Sequence, residues 1–93
     1  MLDLTAIRPL VREVVSEAIA PAKLHDFDLR EIADSEGEAA LEVRVASDPM
    51  EPNGADKRSR ARLRLYDRLS ALGEFRYSYI HFVGGSLTRD EAD

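Results

Sequence analysis

Leu4, Ile7, Leu10, Val11, Val14, Val15, Ala18 and Ile19 recur at spacings of three and four, with Arg12, Glu13, Ser16 and Glu17 mostly between them. That period sets an apolar stripe along one side of a helix. Asp3 and Thr5 are both suitable N-caps, but Pro9 lacks a backbone N–H. The helix therefore either starts near Thr5 and bends, or starts at Pro9. Pro21 ends it by pushing the preceding residue out of helical geometry.

From Leu24 the period changes to two. Phe27 and Leu29 alternate with Asp26, Asp28 and Arg30, and Ile32 then falls out of phase, which predicts a bulge near Arg30 or Glu31. The polar stretch Asp34 to Glu38 offers Gly37 for a turn, and Leu41, Val43 and Val45 alternate behind it with Glu42 and Arg44. These are two strands of an antiparallel hairpin. Pro49, Pro52, Asn53 and Gly54 make the next segment, 48–55, a loop. A second helix follows Asp56 as N-cap and stops at Gly73, with Ala61, Leu65, Leu69 and Leu72 as its inner stripe. The stretch from Phe75 to Val83 is aromatic and β-branched, with Tyr77, Tyr79 and Val83 on one face and Ile80 and Phe82 on the other. It reads as a strand that is central or covered on both sides.

The expected fold is α+β: a two-layer α-β-β-α-β sandwich, a three-stranded mixed sheet with both helices on one face. The other face is left bare. Whether the last strand pairs with the first or the second is open. The periodic positions predict a core of Ile7, Val11, Val14, Phe27, Leu41, Val43, Val45, Leu65, Leu69 and Leu72. Residues 1–85 form one domain, and the small polar segment 86–93 is expected to be a mobile tail.

Composition narrows the function classes. The 93 residues suffice for one core and are too few for a second domain or a deep enclosed pocket. Without cysteine there is no disulfide framework and no thiolate nucleophile or ligand. Met1 to Leu10 carries Asp3 and Arg8 rather than the apolar core of a signal peptide, and no run of about 18 apolar residues occurs. The expectation is a cytoplasmic protein that does not enter a membrane.

The charge of −5 is unevenly spread. Between Leu24 and Asp56, ten acidic side chains face only Arg30 and Arg44; between Lys57 and Arg68, six basic ones face only Asp67. On the second helix Lys57, Arg60, Arg64 and Arg68 fall within a sector of about 80°. This basic ridge has three readings: a solvated face, a dock for an acidic protein or another copy of the chain, and a nucleic-acid contact. The last is the weakest, because the rest of the chain repels phosphates. Arg58 and Arg62 lie in the angular range of the leucines, where burying them is costly unless carboxylates are close. Five of the six bases crowd the N-terminal half of the helix, where the helix dipole opposes cations. Something outside the helix must favour that placement.

Catalytic signals are absent. His25, Asp26 and Asp28 have suitable ligand chemistry for a metal, but Asp26 and Asp28 share a strand face while His25 points away, so a solvated strand edge is expected. His81, flanked by tyrosines, reads as structural. Gly84, Gly85 and Ser86 form no nucleophile elbow, and no phosphate-cradling glycine pattern precedes a helix. No cofactor, metal, small-molecule substrate or enzymatic activity is expected. Tyr77 and Tyr79 on a bare sheet face suit either base stacking or burial in a homodimer, and burial is favoured.

The Val-rich first helix, Leu41-Glu42-Val43-Arg44-Val45, Asp48-Pro49, Arg68-Leu69-Ser70-Ala71-Leu72-Gly73-Glu74 and Tyr79-Ile80-His81-Phe82-Val83 resemble a group of small uncharacterised bacterial proteins. That resemblance implies genes beside HEPN-type proteins and an antitoxin-like, partner-binding role. In topology alone the chain also resembles type II KH domains and the N-terminal domain of ribosome maturation factors, which implies an RNA- or ribosome-associated domain; the KH GxxG loop is missing. The leading expectation is a non-enzymatic interaction module, with Lys57, Arg60, Arg64, Arg68, Tyr77 and Tyr79 as its partner-binding residues.

Overall fold

A computed structural model describes residues 2–85 and Leu87. Apart from Leu87, the tail expected over 86–93 lies outside the described residues. The elements are α1 (Leu4–Ile19), β1 (Leu24–Ala33), β2 (Ala39–Ser47), α2 (Gly54–Ala71) and β3 (Tyr77–Phe82). The sheet order is β1-β2-β3, with β1 antiparallel and β3 parallel to β2. The fold is the expected α+β sandwich with a mixed three-stranded sheet and both helices on one face. β3 is an edge strand rather than a central or doubly covered one; β2 is central, and its burial is nearly continuous. The apolar face of β3 is Ser78 and Ile80, while Tyr77, Tyr79 and His81 are exposed.

α1 begins at Leu4, and Pro9 sits inside it, so the helix neither waits for Pro9 nor is interrupted there. Its stripe of Ile7, Val11, Val14, Val15, Ala18 and Ile19 packs with Phe27, Leu29, Leu41, Val43, Val45, Met50, Ala61, Leu65, Leu69 and Ile80 in one core. α2 starts two residues before Asp56, with Asn53 at its N-cap, which leaves Asp56 in the first turn where its charge suits the dipole. At the other end, the Gly73 N–H bonds to Ser70 O and the Glu74 N–H to Leu69 O, the Schellman arrangement, with Gly73 at φ +84°. Leu72 is the cap residue and is 59% exposed, contrary to its place in the expected core. The helical stripe runs on past the last layer of partners before the chain turns at Gly73.

The hairpin register is unbroken from Asp26 to Ala33, and its irregularity falls between Leu24 and Asp26, not near Arg30. Ile32 therefore stays on the open face opposite Ala40, and Glu31 takes the position on the helix side opposite Leu41. On that side Glu31 meets a residue from far along the chain. Arg76 Nη1 donates to Glu31 Oε2 at 2.9 Å, and Arg76 also grips Glu74 through Nε and Nη2, both at 2.9 Å. Arg76 Nη2 reaches Leu2 O, and the Leu2 N–H returns to Glu74 Oε1, each at 2.6 Å. This brace, buried at Glu74 and Arg76 and open to solvent at Glu31, joins the start of α1, β1 and the α2–β3 turn. Arg76 holds the Glu74 carboxyl at about 2, well below the usual carboxylate range, and Glu74 raises the Arg76 guanidinium further.

Candidate interaction surface

Three faces of α2 do different work. The inner one, Ala61, Leu65 and Leu69, is in the core. The flank towards α1 carries the basic ridge: Arg60, Arg64 and Arg68 are exposed and Lys57 is half-buried. Arg68 Nη2 lies 3.5 Å from Glu13 Oε1, and Arg64, Asp67 and Arg68 line a shallow cleft with Val14 and Glu17 of α1. The ridge is thus partly answered within the chain.

The opposite flank, towards β3, is apolar. Leu63 and Tyr66 project from α2 beside Tyr77, with the Tyr66 and Tyr77 ring centroids 6.3 Å apart. Tyr77 in turn meets Tyr79 edge to face at 4.7 Å. Tyr77 and Tyr79 fall at alternate positions of β3, so both present to the open side, while Phe75 lies before the strand and lines a shallow cleft with Glu38 and Ala39. Among the described residues, the large hydrophobic side chains exposed to solvent are Leu63, Tyr66, Leu72, Phe75, Tyr77 and Tyr79, and every one belongs to α2, its cap or the chain leading through β3. The ridge and the tyrosines, expected to share a partner-binding role, therefore lie on opposite flanks of one helix.

Leu63 and Tyr66 were not singled out by the sequence reading, which followed the inner stripe of the helix. Their spacing of three residues, about a third of a turn away from Ala61, Leu65 and Leu69, was the available signal. Arg62 meets a backbone carbonyl rather than a carboxylate, and Arg58 approaches Glu51 across Gly54. A Cβ on Gly54 would meet Arg58 Nη1 at 2.9 Å and Glu51 Oε2 at 3.0 Å, so guanidinium and carboxylate converge over this glycine. Arg62 donates to Ile80 O at 3.2 Å and covers the Phe82 ring at 5.9 Å. That contact caps a carbonyl of the edge strand, which blunts strand-to-strand addition there.

The bare face of the sheet is charged elsewhere. Arg30 Nε donates to Glu42 Oε1 at 2.6 Å, and His81 Nε2 lies 3.5 Å from Glu42 Oε2, so His81 is exposed beside a carboxylate. His25 joins neither Asp26 nor Asp28. Its Nε2 is 2.6 Å from Asp48 Oδ1 and its Nδ1 3.3 Å from Gly85 O. Both ring nitrogens face acceptors, which favours the imidazolium; the Gly85 carbonyl and then Asp48 raise the His25 pKa, and His25 lowers that of Asp48. Among the described residues no group of three or more His, Asp or Glu is placed to hold a metal ion, and no helix is long and apolar enough to cross a membrane.

Fold and surface together define an open-faced α-β-β-α-β sandwich with one apolar flank. No family model, curated protein or solved structure matches this chain.

Proposed function

We propose that this chain is a non-enzymatic protein-interaction module that associates with a second copy of itself through the flank formed by α2 and β3. The observation that carries the reading is the gathering of Leu63, Tyr66, Tyr77 and Tyr79 on that flank. With side chains of about 200 Å² each and roughly half exposed, they leave on the order of 400 Å² of apolar-rich surface in water. That is the size at which the largest apolar patch of a monomer is often a functional surface, and about half the per-partner area of a standard interface. A flank that meets its own copy across a two-fold axis covers all of this with one surface.

Light scattering on the eluting wild-type protein is expected to give twice the 10.4 kDa chain mass, and Leu63→Glu/Tyr66→Glu to give the single chain with unchanged circular dichroism. A wild type that elutes as a monomer overturns the reading. The exposed rings of Tyr77 and Tyr79 suit base stacking as well. A nucleic-acid absorbance ratio that follows the monomer and disappears with Tyr77→Ser would favour an RNA-binding role instead.

A further inference from the structure

We propose that the second copy docks by antiparallel pairing of the two α2 helices, an inference that rests on the self-association reading above. Along the outer side of α2, Ser59, Leu63, Tyr66 and Ser70 recur at spacings of four, three and four. This is the period of a helix–helix seam, with large side chains at its centre and small ones at its ends, where two backbones can approach. Ser59, Leu63 and Tyr66 are exposed and Ser70 is half-buried. A two-fold axis through the middle of the seam sets Leu63 opposite Tyr66 of the second copy and Ser59 opposite Ser70.

The charges beside the seam fit this pairing and no parallel one. Asp67 lies on the same flank of the seam as Arg60 and Arg64, and all three are exposed. In the antiparallel arrangement Asp67 falls between Arg60 and Arg64 of the second copy, about 3 Å along the axis from each. The two-fold repeats the cluster at the other end. In a parallel pair, each Asp67 would instead lie level with its own copy. The arrangement also accounts for the bases crowded into the N-terminal half of α2, where the dipole of their own helix opposes them. Antiparallel packing lays the C-terminal half of the second helix, with Asp67 and the negative end of its dipole, alongside. Arg62 remains on the opposite flank, holding Ile80 O, so the contact uses side chains and needs no strand addition.

The test is a charge exchange in the full chain, with dissociation constants from sedimentation equilibrium. Asp67→Arg is expected to weaken the dimer about three- to tenfold, and Arg60→Asp/Arg64→Asp by a similar factor, since these are exposed pairs. The triple variant carrying all three changes is expected to return to within about threefold of wild type, because every cluster is rebuilt with its signs exchanged. Circular dichroism and urea midpoints monitor the fold of each variant. A wild-type dimer whose constant ignores Asp67→Arg, or a triple variant weaker than both parents, overturns the α2 pairing while self-association stands. A wild type that stays monomeric overturns both.

Discussion

Replacing Glu74 by Gln removes one charge from the buried brace while keeping its shape. Glu74 is 2% exposed and Arg76 9%. In the variant Arg76 keeps Glu31 and Leu2 O but loses the carboxylate that accepts from its Nε, its Nη2 and its own backbone N–H. A carboxyl held at about 2 instead of 4.5 corresponds to about 3 kcal/mol of stability at neutral pH. That agrees with the roughly 3–5 kcal/mol lost when one member of a buried ion pair is removed. Because the folded-state pKa is depressed, the contribution is complete above the unfolded value and is lost as pH falls towards about 2. Urea titrations of wild type and Glu74→Gln are therefore expected to differ by about 3 kcal/mol at pH 7 and by about 2 kcal/mol at pH 3.5, with similar slopes. A difference below about 1 kcal/mol at pH 7, or one that does not shrink on acidification, would refute the reasoning.

Leu69→Ala empties a fully enclosed core position on α2 and is expected to cost about 2–5 kcal/mol in the same titration. Arg60→Glu/Arg64→Glu, both on the exposed ridge, is expected to move the urea midpoint of the monomer little, within about 1 kcal/mol. The His25–Asp48 contact supports the fold between two limits. Its His25 share is present below the ordinary histidine value and lost as pH rises through the raised one; its Asp48 share is lost as pH falls through the lowered one. NMR titration of the His25 ring is expected to give a pKa above 6.5 that falls back in Asp48→Asn. Gly73→Ala puts a side chain at φ +84° and is expected to destabilise by about 1 kcal/mol, read from its melting temperature.

The helices and the hairpin were legible because each writes its period into the chain, and nine of the ten expected core residues are buried. Leu72 failed because a helical wheel continues indefinitely, whereas packing stops where the facing layer stops. The bulge expected near Arg30 is not there, so Ile32 stays on the open face and Glu31 on the helix side, where it meets Arg76, 45 residues beyond it, a contact that strand alternation does not encode. His25 was read with its sequence neighbours, but its partner Asp48 arrives from the β2–α2 loop, a pairing that strand alternation does not encode. On the surface, the ridge and the tyrosines were visible as composition. That they occupy opposite flanks, and that Leu63 and Tyr66 complete the apolar one, follows only once β3 is placed parallel to β2 and beside α2.

The flank itself is tested most directly by an amide NMR dilution series on the isotope-labelled wild type. Self-association through α2 and β3 predicts concentration-dependent shifts confined to residues 59–70 and 75–79, with Leu63 and Tyr66 among the largest. β1 and the hairpin turn at Gly37 are predicted to stay fixed. Shifts centred on β1, or a spectrum independent of concentration at the mass of a single chain, would contradict the account.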